Sequence, residues 1–420
     1  MSISRNIKGD VVIIIAIFFT LFPVNFIFFP SGLSSRLIVA VFGLIMLFYK
    51  TTRKGVLNTN RNVSNLFLIS FAIAIWSYLC TVIFNNIYDY TYVKHPYTIF
   101  VMLLACSFCS ELIEKRFGSV TFEIVAKYFV YAILLQSFIT LLIFFSSPFG
   151  DLMNSIQRLG DRELLIIGNH LTNQTRFIGF GVVFYNASFF FGSALLFIAY
   201  LLRFPEYIQG RKRYWLYYLI IAFVGMGLSR STMIGIFISL FVYLYPSKVD
   251  IVFFRRIAKL LFFSLLIFFS VYLLLNLFPS INSRYEGFID NVFEVFVNYN
   301  ESGEIDSKSA EGTFSTFRLP DYDSTYLFGT GYYEQYSSIG DFSYSDIGYL
   351  RLLFYSGVVG LFLFFIFEIT LLKMVLYNRG YKLVFFGMIL ILLLTNIKGL
   401  TMLSVITLMF FRIRKQNLLN

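Results

Sequence analysis

Long apolar runs alternate with short polar interruptions, most of them basic, from one end of the chain to the other. A helix needs about 20 apolar residues to cross a bilayer. Runs near that length predict twelve spans, at roughly 11–29, 33–49, 66–84, 97–113, 123–149, 180–202, 214–229, 231–246, 258–278, 347–372, 383–397 and 399–411. Two interruptions are narrow: Arg230 alone breaks the stretch from Tyr214 to Tyr245, and Lys398 alone breaks that from Leu383 to Phe411. Fusing either stretch into one tilted helix would place later basic segments outside, against the rule that short basic loops stay in the cytoplasm. Each stretch is therefore read as a hairpin of two short helices.

Charge sets the sidedness. With the N-terminus inside, the cytoplasmic segments hold 23 of the 34 Lys and Arg residues, from Arg5 and Lys8 through to Arg412, Arg414 and Lys415. The expected fold is an all-α polytopic membrane protein, a single integral domain over 1–420 with both termini cytoplasmic. Its first long outer loop covers 150–178, and the largest, 279–346, precedes the tenth helix. Within that loop Tyr285, Phe288, Ile289, Val292, Phe293, Phe296 and Tyr299 recur at helical spacing, which predicts an amphipathic helix on the membrane surface. The first span follows Arg5 and Lys8 without a small-residue cleavage site, so it is read as retained.

Composition agrees: 58% of residues are hydrophobic and 14% charged, a balance that excludes an ordinary soluble domain. The net charge of +11 does not point to nucleic acid, because the basic residues flank apolar spans, where lipid headgroups attract them. Cys80, Cys106 and Cys109 fall inside expected spans, and His95 and His170 are far apart in sequence. No disulfide framework, metal site or cofactor is expected from that pattern.

Eight of the eleven outer basic residues are Arg, among them Arg158, Arg162, Arg176, Arg230, Arg284, Arg318 and Arg351. A guanidinium grips phosphate oxygens through paired N–H groups, which suits a lipid-phosphate substrate. The competing reading is that each arginine snorkels to the interface or pairs with a carboxylate. Arg230 and Arg351 stand within or at the end of apolar spans, where an ionisable group is a functional candidate by default. Asp346, where the largest loop enters a helix, is either an N-terminal cap or a general base. His170 is either a solvated loop residue or a catalytic one.

Four short segments, in order, give the chain a resemblance to a known family: Thr175-Arg176-Phe177-Ile178-Gly179-Phe180, Gly227-Leu228-Ser229-Arg230-Ser231, Phe328-Gly329-Thr330-Gly331, and Asp346-Ile347-Gly348-Tyr349-Leu350 running on to Gly357 and Gly360. Beside the expected sidedness and the large outer loop, they resemble the bacterial O-antigen polymerase family, the Wzy-type enzymes, and more distantly the O-antigen ligases. The resemblance differs in two places. Tyr185-Asn186-Ala187-Ser188 stands where many polymerases carry an acidic residue and a proline, and Ser345-Asp346 stands where ligases carry a histidine.

The resemblance implies a glycosyltransferase at the periplasmic face of the bacterial inner membrane. It would join undecaprenyl-pyrophosphate-linked oligosaccharide repeat units, one lipid-linked glycan as donor and another as acceptor. It implies catalytic roles for Asp346, Arg230 and Arg318, with substrate binding by Arg176, Arg351, Arg158, His170 and Tyr349, and no cofactor. Partners beyond the two lipid-linked substrates would be membrane lipids, a chain-length regulator and a flippase. A ligase, or a flippase or transporter of lipid-linked oligosaccharides, is the alternative; transporters favour interrupted helices near the midplane.

Overall fold

The protein is described by a computed structural model over residues 7–54, 61–159, 176–181, 184–204, 211–245, 254, 294, 311, 315, 317–333 and 347–414. Thirteen α-helices have described bounds. They are α1 (Ile7–Leu21), α2 (Ser35–Lys54), α3 (Arg61–Tyr78, continued by a π turn over Leu79–Phe84), α4 (His95–Phe117), α5 (Phe122–Phe145), α6 (Ser147–Ser155) and α7 (Phe184–Arg203). The second half adds α8 (Arg211–Leu228), α9 (Thr232–Leu244), α10 (Asp323–Phe328), α11 (Gly348–Val375), α12 (Lys382–Thr395) and α13 (Ser404–Met409).

Among the described residues six helices are long and apolar enough to cross a membrane: Ser35–Arg53, Val63–Phe84, His95–Phe117, Phe122–Phe145, Asn186–Arg203 and Gly348–Arg379. Two more, Thr232–Leu244 and Lys382–Thr395, are apolar but shorter. No strand occurs among the described residues, only the isolated bridges Asn25–Ser34 and Phe26–Gln157. This is an all-α membrane protein.

Several expected spans change length, for local reasons. The first ends as a helix at Leu21, two residues before Pro23, which disfavours helical backbone in the residue preceding it. The run expected over 123–149 breaks at Ser146, whose backbone is extended, and Pro148 then sits in the first turn of α6, a position that tolerates its missing N–H. As a result α6 reaches into the segment expected to begin a loop at 150. The stretch 214–245 is two helices, with Ser229–Ser231 between them. The run expected over 399–411 is helical only in α13, and the turn before it is held by the Thr401 N–H donating to Asn396 Oδ1 at 2.9 Å. The span expected at 258–278 lies outside the described residues, as does the amphipathic helix over 285–299 except Glu294, which is helical.

Association of helices in lipid gains little from the hydrophobic effect, since the tails are as apolar as Leu, and depends instead on close packing. Two features supply it. Phe122 of α5 stacks on Tyr381 (4.5 Å) and Phe410 (5.1 Å) and meets Phe197 of α7 edge-on (5.8 Å). Each such pair is worth about 0.5–1.5 kcal/mol beyond its buried area. Between α7 and α9, Gly192 and Gly235 let the backbones touch: a Cβ on Gly235 would lie 2.3 Å from the Gly192 Cα.

One end of the bundle is tied by ion pairs. Glu111 of α4 meets Lys50 of α2 and Arg412 (2.9 Å), and Arg412 also meets Glu114. Beside them Arg116 pairs with Asp10 at 3.3 Å, and the Tyr128 hydroxyl donates to the same carboxylate at 2.7 Å. Partly exposed pairs contribute only about 0–1 kcal/mol each. Their value here is positional, since they bring the start of α1, the ends of α2 and α4 and the first turns of α5 to the chain's C-terminal segment.

Gly235→Leu is expected to force α7 and α9 apart and to destabilise the protein by roughly 1–3 kcal/mol or more, the usual cost of overpacking. Thermal unfolding in detergent should show a clearly lowered midpoint. An unchanged midpoint would show that this contact does not hold the bundle.

Candidate functional site

The opposite end of the bundle gathers the segments singled out in the sequence. Residues 176–181 cross over the end of α8, where the Phe177 N–H donates to the Gly227 carbonyl at 3.1 Å. The Phe177 ring is 1% exposed and packs edge-on against Phe144 (4.7 Å) and Phe223 (5.8 Å). A Cβ on Gly227 would stand 2.3 Å from that ring, so glycine is required for the crossing. The α8–α9 turn is closed by Ser229 N–H to Gly225 O (2.8 Å), Thr232 N–H to Ser229 O (2.9 Å) and Thr232 Oγ1–H to Gly225 O (2.9 Å). Arg230 stands at its tip.

These two backbone arrangements bring Arg176 and Arg230 close enough to repel. Burial, and then the charge of Arg230, hold the Arg176 guanidinium down to about 10. Burial lowers Arg230 as well. Arg176 therefore stays charged near neutrality, so two cations share a poorly solvated place, an arrangement that an anion stabilises. Arg230 already meets one oxyanion, forming an ion pair with Glu294.

The second assembly is built on a break in α11. Ser356 (φ −140°, ψ 18°) and Gly357 (φ +66°) leave helical geometry, so carbonyls just before them lose their partners four residues on. The Phe354 carbonyl accepts the Thr330 N–H (2.5 Å) and hydroxyl (3.0 Å), and the Tyr355 carbonyl accepts the Gly331 N–H (3.2 Å). Trp76 Nε1–H donates to the Ser356 carbonyl at 2.8 Å. Asn85, past the π turn of α3, donates to Gly329 O (3.3 Å) and Cys80 O (2.7 Å). Gly357 has a positive φ and no room for a side chain, because a Cβ would fall 2.0 Å from the Leu327 carbonyl oxygen. Beneath this, the Tyr355 hydroxyl donates to the Asp89 carbonyl (3.1 Å), and the Asp89 carboxylate accepts the Tyr333 N–H (2.9 Å).

The other expected site residues are placed differently. Arg158 is exposed and anchors the turn after α1, with its guanidinium on the carbonyls of Ile27 (3.2 Å) and Phe29 (3.1 Å). Arg351 is buried on the first turn of α11. Tyr349 donates its hydroxyl to Leu393 O of α12 at 2.5 Å and stacks its ring on Phe365. Arg318 is exposed. Asp346 and His170 lie outside the described residues, as do Arg162 and Arg284.

Sequence reasoning missed three contributors. Nothing local marks Trp76 and Asn85 as partners of a distant helix break. Glu294 could have been found: Glu286, Asp290 and Glu294 recur every four residues, an acidic stripe on the expected amphipathic helix. Comparison of the chain with protein-family models, with curated proteins and with solved structures returned no match.

Gly357→Ala is expected to push the 327–331 segment off the α11 break. Trp76 stacks on Phe328 (6.1 Å) and is one of only two tryptophans, so its fluorescence should report the change. An emission spectrum identical to that of the parent would contradict this docking.

Proposed function

We propose that the protein is an O-antigen polymerase of the Wzy type, joining undecaprenyl-pyrophosphate-linked oligosaccharide repeat units at the periplasmic face of the bacterial inner membrane. The observation that carries the reading is the meeting of Arg176 and Arg230 at the end of the bundle opposite its ion-paired, basic end. In this reading twelve spans place both termini and the ion-paired end in the cytoplasm, by the distribution of Lys and Arg. The arginine pair then faces outward, beside the large loop.

The chemistry asked of such a site is limited. The acceptor's terminal hydroxyl oxygen attacks the first sugar carbon of the donor and forms the new C–O bond. The bond from that carbon to pyrophosphate breaks with its electron pair, and the pyrophosphate-linked lipid departs as an anion. Fixed cations stabilise charge that develops on the leaving oxygens, and a prearranged pair does so without reorganisation during the reaction. The hydroxyl proton passes to a base, a role assigned to Asp346 by its position before α11. Arg318 and Arg351 are assigned to the donor's remaining phosphate oxygens.

A lipid-linked oligosaccharide flippase is the second reading, favoured by the interrupted α11 and the π turn of α3, since transporters build their sites from broken helices. One reconstitution separates the two. Purified protein in lipid vesicles, supplied with lipid-linked repeat units, should make ladders of polymer. Arg176→Ala and Arg230→Ala should each cut elongation by about 100-fold or more, the cost of removing a positioned transition-state donor, while membrane insertion persists. Full-length polymer from both variants would overturn the assignment, and transfer of repeat units across the bilayer without growth would establish the flippase.

A further inference from the structure

A separate pair of depressions lies where α2 and α3 flank the first turns of α4. The first, about 160 Å³, is lined by Ser34, Arg36, Tyr97, Thr98, Val101 and Met102 among others, and no carboxylate lines it. The second, about 490 Å³, is an apolar groove that includes Phe67, Phe71, Ala74, Pro96 and Phe100. Tyr97, 60% exposed, belongs to both and joins them. They lie at the same end as Arg158, because the Arg158 N–H donates to Asn25 O (2.6 Å) and Asn25 bridges to Ser34.

The donors in the first depression can be counted. Arg36 spends its Nε–H on the Thr20 carbonyl (2.7 Å) and one Nη2–H on that of Leu21 (3.2 Å), capping the last turn of α1. A guanidinium has five N–H groups, so three remain. The Ser34 hydroxyl oxygen accepts the Leu37 N–H (3.4 Å), which leaves its O–H to donate. Thr98 spends its hydroxyl proton on the Lys94 carbonyl (3.2 Å). Arg36, Ser34 and the Tyr97 hydroxyl thus form a donor set carrying one positive charge, beside an aromatic groove.

We propose that these depressions dock one anionic glycerophospholipid, its phosphodiester against Arg36, Ser34 and Tyr97 and one acyl chain in the groove of Phe67, Phe71 and Phe100. A single cation matches the single negative charge of a phosphodiester. A polyprenyl pyrophosphate carries more charge than one guanidinium edge neutralises, and the Arg176–Arg230 pair suits it better. A zwitterionic lipid would bring an ammonium to a depression that has no carboxylate to receive it. The site is distinct from the arginine pair and does not depend on the polymerase reading.

Native mass spectrometry of the full chain in detergent tests this, with phosphatidylglycerol, phosphatidylcholine and undecaprenyl phosphate added in turn. One phosphatidylglycerol should bind in preference to phosphatidylcholine. Arg36→Gln should weaken it by about tenfold or more, the loss of a charge-assisted hydrogen bond. Tyr97→Phe and Phe71→Ala should each weaken it several-fold with an unchanged unfolding temperature, and these two carry the test if Arg36→Gln unfolds for want of its α1 cap. Equal binding of phosphatidylglycerol and phosphatidylcholine, or phosphatidylglycerol binding unaltered in Tyr97→Phe and Phe71→Ala, would overturn the site. Tighter binding of undecaprenyl phosphate would overturn its assignment to phospholipid.

Discussion

A backbone carbonyl left without a partner in hydrocarbon costs several kcal/mol, so a helix can break at membrane depth only where protein groups replace the lost bonds. At the α11 break, Thr330, Gly331 and Trp76 do so for the carbonyls of Phe354, Tyr355 and Ser356. The requirement acts in both directions. It draws the 327–331 segment down onto α11, and it binds α3 to α11 through Trp76 and, by way of Asn85, to Gly329. The same constraint governs the α8–α9 turn, where Ser229 and Thr232 close the backbone and leave Arg230 projecting from the tip.

Charge follows from this arrangement. Residues 176–181 are seated by the Phe177 ring and its N–H on Gly227, which brings the Arg176 guanidinium within reach of the charge of Arg230. Arg176 feels the charge of Arg230 with limited access to water, and Glu294 of the large loop pairs with Arg230. Arg36, a single cation with three N–H groups to spare, presents a smaller demand near the same end. Arg158 also keeps three N–H groups after donating to the Ile27 and Phe29 carbonyls, but it is exposed, where water can receive them. Arginines with one residue name thus differ in chemical availability, and only their surroundings separate them.

Apolar run length and interrupting charges made most of the described helices legible in advance, including the two on either side of Arg230 and the end of α12 before Lys398, because both signals are local. Helix ends were less legible. Pro23 and Pro148 mark breaks only once the register of the neighbouring turns is known, and a stretch such as 399–411 is apolar whether or not it is helical. The meeting of Arg176 with Arg230 was foreshadowed by two short segments but not by any spacing rule, since it depends on a tertiary crossing. The non-helical backbone at Ser356 and Gly357 was marked only by the glycine, and the π turn at Leu79–Phe84 by nothing local; both are held by contacts with distant chain. Nothing local showed that the Tyr349 hydroxyl donates to the Leu393 carbonyl of α12.

The central claim is that the ion-paired end and the arginine-pair end face opposite sides of the membrane. The native cysteines Cys80, Cys106 and Cys109 are buried, so a single introduced cysteine can report its own side. Ser155→Cys, exposed near the arginine-pair end, should react with a membrane-impermeant maleimide in intact spheroplasts. Thr52→Cys, exposed near the ion-paired end, should react only after permeabilisation. Labelling of Thr52→Cys in intact spheroplasts with protection of Ser155→Cys, or equal labelling of both, would contradict the account.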